Sequence, residues 1–209
     1  MVSLSEFTRL KVSGLGGERA DTAARKLVEQ GAIALMSFGT AAGLVRDLRS
    51  GDLVLPSHIV AADGTRYIVD AQWRHRVCTV LNHDPRDCTI VEVIEPVCLV
   101  EEKSRLAAHT DAVAADMESA AIIRVAEECG IASLVVRVVV DPLSMTLPSS
   151  AIAAVSPTGA RCWSGLCWGL LRKPHEIFEI YHLALASSLA RRSLMEVCRS
   201  AGSEFCAFQ

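Results

Sequence analysis

Three short stretches of the sequence carry side chains that could do chemistry. One is the small-residue turn at residues 39–43, where glycines permit close approach of the backbone and the Thr40 hydroxyl can bind an oxyanion. The second is the pair Met117-Glu118, at the entrance of an alanine-rich helix. The third is Asp141, which ends an apolar run and precedes a proline that favours extended backbone. At one edge of a sheet they would combine two acids with an anion-binding turn.

Each acid and each glycine-rich turn also has a purely structural explanation. Glu118 in a first helical turn favours the helix dipole, Asp116 is suited to be the N-cap of that helix, and Asp141 could cap a turn. The turn "SGLGG" lacks the complete dinucleotide fingerprint G-x-G-x-x-G and the acid that follows it. The stretches therefore indicate a binding site only in combination.

The elements that must position these stretches alternate between strands and helices. An Asp63-Gly64 pair predicts a hairpin turn, and the β-branched run before Asp141 predicts a central strand. The alternation predicts one α/β domain with a doubly wound, mainly parallel sheet, in which ligands bind beyond the carboxyl ends of strands. Strands are expected at about 8–13, 32–44 and 131–141, as a pair joined by a hairpin within 51–70, and at 88–100 with a break at Pro96. Residues 111–130 are expected to pass from a strand into a helix, and further helices are expected before Gly31, at 103–110 and beyond about residue 149.

The composition narrows the class of protein. The chain has 209 residues, of which 51% are apolar but only 5% aromatic, and its formal charge of -3 gives no electrostatic footprint for nucleic acid. Its eight cysteines include no C-x-x-C pair, so we expect buried thiols in a reducing cytoplasm and no metal site. No secretory signal and no run long enough to cross a membrane is visible.

The three stretches together resemble the nucleoside phosphorylase and nucleosidase superfamily. The segments "FGTAAGLVRDLRSGDLVLP", "AADMESAAI" and "RVVVDP" carry the resemblance, which covers about residues 11–148. It implies a three-layer α/β/α fold with a central mixed, mainly parallel sheet. We expect residues 1–209 to form one such domain, with a mainly helical tail at 149–209. Relatives usually begin with a further strand, so the resemblance implies that this N-terminal strand is missing here.

The resemblance also implies roles for the candidate residues. Met117 and Glu118 match the Met-Glu pair that binds ribose, and Asp141 matches the acid that serves the purine base. A carboxylate on the sugar hydroxyls favours the positive charge that grows during N-glycosidic cleavage. An aspartic acid in an apolar mouth has a raised pKa and can protonate the departing purine.

Phosphate is the expected nucleophile, with inorganic phosphate as co-substrate and no other cofactor. The resemblance places it on Thr40 and on three glycines: Gly14, Gly16 and Gly39. Phosphorylases often carry an arginine three residues before that hydroxyl, whereas this chain has Ser37, as hydrolytic relatives do. Arg19 and Arg46 are the candidates for the missing charge. A hydrolytic nucleosidase remains the alternative.

The C-terminal tail is similar to that of the hopanoid-associated phosphorylases, which implies adenosylhopane as the substrate. Apolar residues between 163 and 181, among them Trp163 and Trp168, predict a core, a subunit interface or a lipid channel. Four basic residues could touch anionic headgroups: Arg172, Lys173, Arg191 and Arg192. A mean hydropathy of +0.32 and the resemblance favour a homo-oligomer in the cytoplasm, with possible peripheral contact to the inner membrane.

Two other classes of protein stay open at this point. A dinucleotide-dependent oxidoreductase shares the sheet class but needs the fingerprint that "SGLGG" does not complete. A non-catalytic relative, inert because of its shortened start, could serve as a subunit of a lipid-synthesis complex.

Overall fold

The protein is described by a computed structural model that covers residues 9–84, 86–148, 176–202 and 204–206. These ranges contain a seven-stranded sheet flanked by five α-helices. The strands are β1 Ala34–Gly43, β2 Leu53–Val54, β3 His58–Val60, β4 Arg66–Ile68, β5 Thr89–Glu92, β6 Ala112–Asp116 and β7 Ala132–Asp141. The helices are α1 Gly17–Glu29, α2 Ala71–Val80, α3 Val100–Thr110, α4 Ser119–Glu128 and α5 Ile177–Ala201, and a 3₁₀ turn spans Glu204–Cys206.

The sheet contains two blocks of parallel strands that run in opposite directions, and each block has an antiparallel strand, β2 or β4, at its outer edge. Its strand order is β2-β7-β1-β6-β5-β3-β4. Strands β7 and β1 are parallel, and β6, β5 and β3 are parallel to one another, whereas β1 and β6 are antiparallel. Strands β1 and β6 pair only near their carboxyl ends, at Ala42 with Ala115 and Gly43 with Ala114. The carboxyl ends of both blocks therefore converge in the middle of the sheet.

Helices cover both faces of the sheet because β7, which lies between β2 and β1 rather than at the predicted central position, is apolar on both sides. In β7, Val135 and Val139 pack in the core that includes Ile123 of α4, while Leu134 and Val136 pack with residues of α2 and α5. Successive side chains of a strand point to opposite faces, so one β-branched run supplies two cores. The three-layer α/β/α fold with a mixed, mainly parallel sheet is thus confirmed.

Most predicted elements are present, and the differences have physical causes. The Asp63-Gly64 hairpin joins β3 to β4, with Gly64 at a φ of +87°. The strand predicted at 8–13 is wrong over its described part, residues 9–13, where no strand forms and the apolar side chain of Val12 is 84% exposed. The predicted strand at 88–100 ends early, at Glu92, and helix α3 begins at Val100 rather than at residue 103.

The described part of the tail is one long helix followed by the 3₁₀ turn. Residues 149–175, which include Trp163, Trp168, Arg172 and Lys173, lie outside the described residues. Helix α5 buries four small or branched residues against the domain: Ala186, Ala190, Val197 and Ala201. On its outer side Phe178 and Tyr181 are exposed, and Arg191 and Arg192 are exposed as well. None of the helices in the described ranges has the length and apolar character needed to cross a bilayer.

Candidate active site

A cleft of about 150 Å³ lies where the carboxyl ends of the two strand blocks meet. Backbone contacts hold its rim together, because the Leu147 N–H donates to the Cys98 carbonyl at 3.0 Å and ties the segment after β7 to the segment after β5. The cleft is lined by the apolar residues Leu15, Ala41, Ala42, Val93, Pro96, Val97, Ala115, Met117 and Leu147, and by Thr40, Asp116, Glu118 and Asp141. Its described lining contains three carboxylates and no Arg, Lys or His.

Glu118 enters the cleft from the start of helix α4. It is the N-cap residue of that helix, yet its side chain makes no capping hydrogen bond. Instead, the carboxylate oxygen Oε1 accepts the backbone N–H of Gly16 at 2.9 Å. Burial raises the pKa of Glu118 more than this hydrogen bond lowers it. The tertiary structure thus turns the carboxylate away from its own helix and toward the glycine turn before α1.

The side chain of Asp116, by contrast, is engaged in hydrogen bonds and an ion pair within the protein. Its carboxylate accepts the N–H groups of Glu118 and Ser119, at 3.3 and 3.1 Å, and it also contacts the Ser119 hydroxyl. Arg137 Nε donates to Asp116 Oδ2 at 2.5 Å, in an ion pair whose two side chains are almost completely buried. The prediction that Asp116 is structural agrees with this geometry, although Glu118 rather than Asp116 is the N-cap residue.

Asp141 lies at the carboxyl end of β7, next to a buried cation. Its carboxylate Oδ2 is 2.8 Å from Lys103 Nζ of helix α3, and the Lys103 side chain is fully buried. Burial raises the pKa of Asp141, while the neighbouring ammonium opposes that rise. The expected apolar mouth is therefore correct for the strand, but the site also contains a charge that the sequence-based prediction left out.

The residues predicted to hold phosphate are only partly brought to the cleft. Thr40 lines it and is exposed. Gly14, Gly16 and Gly39 are not among the described lining residues, and the Gly16 N–H is already used by Glu118. Gly39 lies over the guanidinium of Arg137, since a Cβ there would be 3.3 Å from Nη1. Phosphate binding by these four residues stays a prediction.

Ser37, at the position where phosphorylases often carry an arginine, is buried. Arg137 Nη2 donates to the hydroxyls of Ser37 and Ser119, at 2.6 and 2.9 Å. Ser37 is therefore part of the buried Asp116–Arg137 network rather than a group that faces the cleft. Arg19 and Arg46, the predicted replacements, are exposed and do not line the cleft.

Comparison with known proteins places this arrangement in a family. The sequence model of the Phosphorylase superfamily, PNP_UDP_1, matches residues 9–161. The chain belongs to the Phosphorylase superfamily. A search of curated proteins finds no match.

Solved structures of the same fold include several nucleosidases. A 5′-methylthioadenosine/S-adenosylhomocysteine nucleosidase of Campylobacter jejuni has a TM-score of 0.63 at 16% identity, with 89% of this chain and 78% of that one covered. For an S-adenosylhomocysteine nucleosidase of Streptococcus pyogenes the values are 0.57, 20%, 84% and 77%. For futalosine hydrolase of Helicobacter pylori they are 0.58, 17%, 88% and 77%. Because the identities are this low, the similarity shows only that this superfamily member shares their fold.

Sequence reasoning missed three charged residues near the cleft, of which Lys103 and Arg137 are buried and Glu92 is half-buried. Lys103 occupies a position three residues from both Val100 and Leu106, on the apolar side of α3, which is an unusual place for a solvated lysine. Arg137 interrupts the apolar run of strand β7, and a buried cation there requires an acid nearby. Glu92, at the end of β5, accepts the N–H of Ala121 at 3.0 Å and anchors the start of α4. A charge at an apolar position was the signal in the first two cases.

Proposed function

We propose that this superfamily member cleaves the N-glycosidic bond of a purine nucleoside with an apolar 5′ substituent. The observation that carries the proposal is that Glu118 and Asp141, which are far apart in sequence, line one cleft together with Met117 and Thr40. Two acids in one small hollow fit a reaction that needs one group on the sugar and another on the leaving base.

Glu118 is assigned to the ribose. Its Oε1 is fixed by the Gly16 N–H, so the carboxylate is oriented before substrate arrives. When it accepts hydrogen bonds from the sugar hydroxyls, its negative charge favours the oxocarbenium-like transition state. Met117 adds a polarizable apolar surface beside this polar contact.

Asp141 is assigned to the departing purine. Burial raises its pKa, which increases the fraction of the carboxyl group that carries a proton. Donation of that proton to N7 lets the purine leave as a neutral base, and such general acid help is worth about 10²–10⁴ in rate. The carboxylate that remains must then be reprotonated before the next turnover.

The walls of the cleft support a substrate with an apolar substituent. Leu15, Val93, Val97 and Leu147 surround the acids with apolar surface. Nucleosidases among the solved structures are named for 5′-methylthioadenosine and S-adenosylhomocysteine, which fits a substituted adenosine here as well. Adenosylhopane, which the resemblance implies, is a substrate of this kind, and the exposed apolar side of α5 is compatible with it.

Water is the nucleophile that the charge of the cleft favours. Arg137 pairs with Asp116 and Lys103 lies beside Asp141, whereas Glu118 has no ion pair among the described residues, and its carboxylate repels a phosphate dianion at short range. Phosphate remains the second candidate because the exposed Thr40 hydroxyl stands at the cleft as the resemblance to phosphorylases implies. Both nucleophiles use Glu118 and Asp141 in the same roles.

The test is release of adenine from purified protein. Methylthioadenosine and a 5′-alkylated adenosine with a long apolar chain are compared, each with and without inorganic phosphate. Release without phosphate identifies a hydrolase, and release only with phosphate identifies a phosphorylase. No release from either substrate contradicts the proposed function. A higher kcat/KM for the long-chain substrate supports a lipid nucleoside.

Variants connect that activity to the site. Glu118→Ala should lower kcat/KM by about 10²-fold or more, because it removes a contact that strengthens in the transition state. Glu127→Ala is the matched control, since Glu127 lies exposed on the same helix outside the cleft. Equal activity of Glu118→Ala and wild type would show that the Glu118 carboxylate has no role in the reaction.

A further inference from the structure

Lys103 is fully buried, and the groups around its Nζ are oxygen atoms, which suit an ammonium. Its exposed fraction is 0%, although it sits on a helix that has exposed charges on either side of it. Lysine is almost never buried completely unless its charge is compensated. The group that compensates the charge of Lys103 must therefore be one of the groups that contact its Nζ.

Four oxygen atoms surround the three protons of the Lys103 ammonium. Nζ donates to the carbonyl oxygens of Asp141, Pro142 and Met145, at 3.2, 3.1 and 2.9 Å. The fourth oxygen belongs to the Asp141 carboxylate and is the nearest of the four. The Asp141 carboxylate oxygen Oδ2, 2.8 Å from Nζ, is buried and has no well-aligned hydrogen bond. The ammonium thus acts on this carboxylate as a nearby charge.

We propose that Lys103 is a positioning residue for the reaction, which fixes the 141–145 turn and tunes the proton affinity of Asp141 through its charge. This inference rests on the proposed function, in which Asp141 donates a proton to the leaving purine. Proton donation creates a carboxylate beside the ammonium, so the charge of Lys103 stabilises the product of that step. Without Lys103, buried Asp141 would hold its proton more tightly and be a weaker acid.

Other titratable groups lie close enough to be considered. Cys98, in the segment before α3, is near both Asp141 and Lys103, and burial raises the pKa of its thiol. Glu102 accepts the N–H groups of Cys98 and Leu99 at the exposed start of α3. Glu118 shares the cleft with Asp141, and Asp116 is paired with Arg137. Lys103 is the cation in contact with Asp141 among the described residues.

The first experiment measures kcat for adenine release against pH. Lys103→Gln removes the charge and keeps N–H donors for two carbonyls, whereas Lys103→Met removes both. In each variant we expect the alkaline limb, where Asp141 loses its proton, to move up by about 1–3 pH units. The acid plateau should fall by about tenfold because the donor is weaker. Arg105→Met, on the exposed side of the same helix, is the control and should leave the profile unchanged.

The second experiment does not depend on activity. Because the folded-state pKa of Asp141 is raised, its contribution to the free energy of unfolding is present at low pH and is lost as pH rises through that pKa. In Lys103→Gln this loss should extend to higher pH than in wild type. Asp141→Asn and the double variant Lys103→Gln/Asp141→Asn should both lack it. Chemical unfolding from pH 4 to pH 9 measures the difference even if no nucleoside is cleaved.

The outcomes separate the inference from the proposed function. A shift in the stability profile without any turnover supports the action of Lys103 on Asp141 and contradicts the proposed reaction. Turnover with unshifted profiles in Lys103→Gln overturns the role of Lys103 and leaves the reaction in place. If Lys103→Gln does not fold, recovery of folding by the added Asp141→Asn supports the charge coupling. Failure of both variants to fold makes Lys103 a structural clamp alone.

Discussion

The carboxyl ends of β6 and β7 each present a buried aspartate to the same cleft, but the two aspartates are treated differently. Asp116, at the end of β6, receives hydrogen bonds from two backbone N–H groups and from a buried arginine. Asp141, at the end of β7, also has a buried cation beside it, yet Lys103 directs its protons to backbone carbonyls. Asp141 Oδ2 is consequently left without an aligned donor.

This difference teaches how a fold separates a structural acid from a reactive one. A carboxylate whose lone pairs are occupied by hydrogen bonds from the protein has little capacity left to bind substrate. A buried carboxylate that keeps one oxygen without an aligned hydrogen bond is costly for stability, and the fold does not occupy it as fully as it occupies Asp116. Proximity to the cleft alone does not distinguish them, because both aspartates line it.

The largest expected effect comes from Asp141→Asn. The amide keeps the shape of the side chain but has no proton of suitable acidity, so kcat should fall by about 10²–10⁴-fold while ligand still binds. Adenine release and ligand binding are measured on the same preparation. Asp111→Asn is the control, because Asp111 is exposed at a φ of 55°, a conformation that asparagine tolerates. Wild-type turnover in Asp141→Asn would contradict the conclusion that Asp141 is the reactive aspartate and Asp116 the structural one.

Arg137→Met tests the structural side of the contrast. It leaves the Asp116 carboxylate buried without its cation, and breaking such a pair costs about 3–5 kcal/mol in the free energy of unfolding. Arg137→Met/Asp116→Asn should recover part of the loss, because the uncompensated charge is gone. Denaturant unfolding measures both. Arg124→Met, at an exposed ion pair with Asp21, should cost less than about 1 kcal/mol. A similar cost for Arg124→Met and Arg137→Met would contradict the assignment.

Gly16→Ala examines how Glu118 is held. Gly16 has a φ of +94° and ψ of 151°, and a Cβ there would meet nothing within 4 Å, so the cost is backbone strain alone. We expect a loss of about 1–3 kcal/mol in stability and a higher KM, since the N–H that fixes Glu118 moves. Gly17→Ala, one residue into α1, should be neutral or stabilising. Equal effects of the two substitutions would argue against a role for the Gly16 conformation.

The smallest effect concerns the pH dependence contributed by Glu118. Its folded-state pKa is raised by burial, so its contribution to stability is present below the unfolded pKa of about 4.3 and is lost as pH rises through the folded value. Glu118→Gln should remove that loss, which amounts to about 1.4 kcal/mol for each unit of pKa difference. Unfolding free energies at pH 4 and pH 8 are compared for both proteins. If the difference in unfolding free energy between pH 4 and pH 8 is the same in Glu118→Gln as in wild type, Glu118 is not desolvated in the folded protein.

The sequence predicted the layers of the fold because hydrophobic periodicity is local. The apolar run of β7 and the Asp63-Gly64 turn each indicate their element without knowledge of the rest of the chain. The strand expected at 8–13 failed over residues 9–13, because a strand also requires a partner that periodicity does not supply. The antiparallel contact between β1 and β6 was likewise beyond local patterns, although it creates the cleft.

By itself the sequence determined the superfamily, the three layers and the acids that a nucleoside site would need, because motifs and apolar spacing are written in neighbouring residues. Only the tertiary structure decided which acid is engaged by hydrogen bonds from the protein and which is left for a substrate. That choice depends on partners distant in the chain: Arg137 for Asp116, the Gly16 N–H for Glu118 and Lys103 for Asp141. Burial and long-range hydrogen bonds set proton affinity, and neither is encoded by the spacing of residues along the chain.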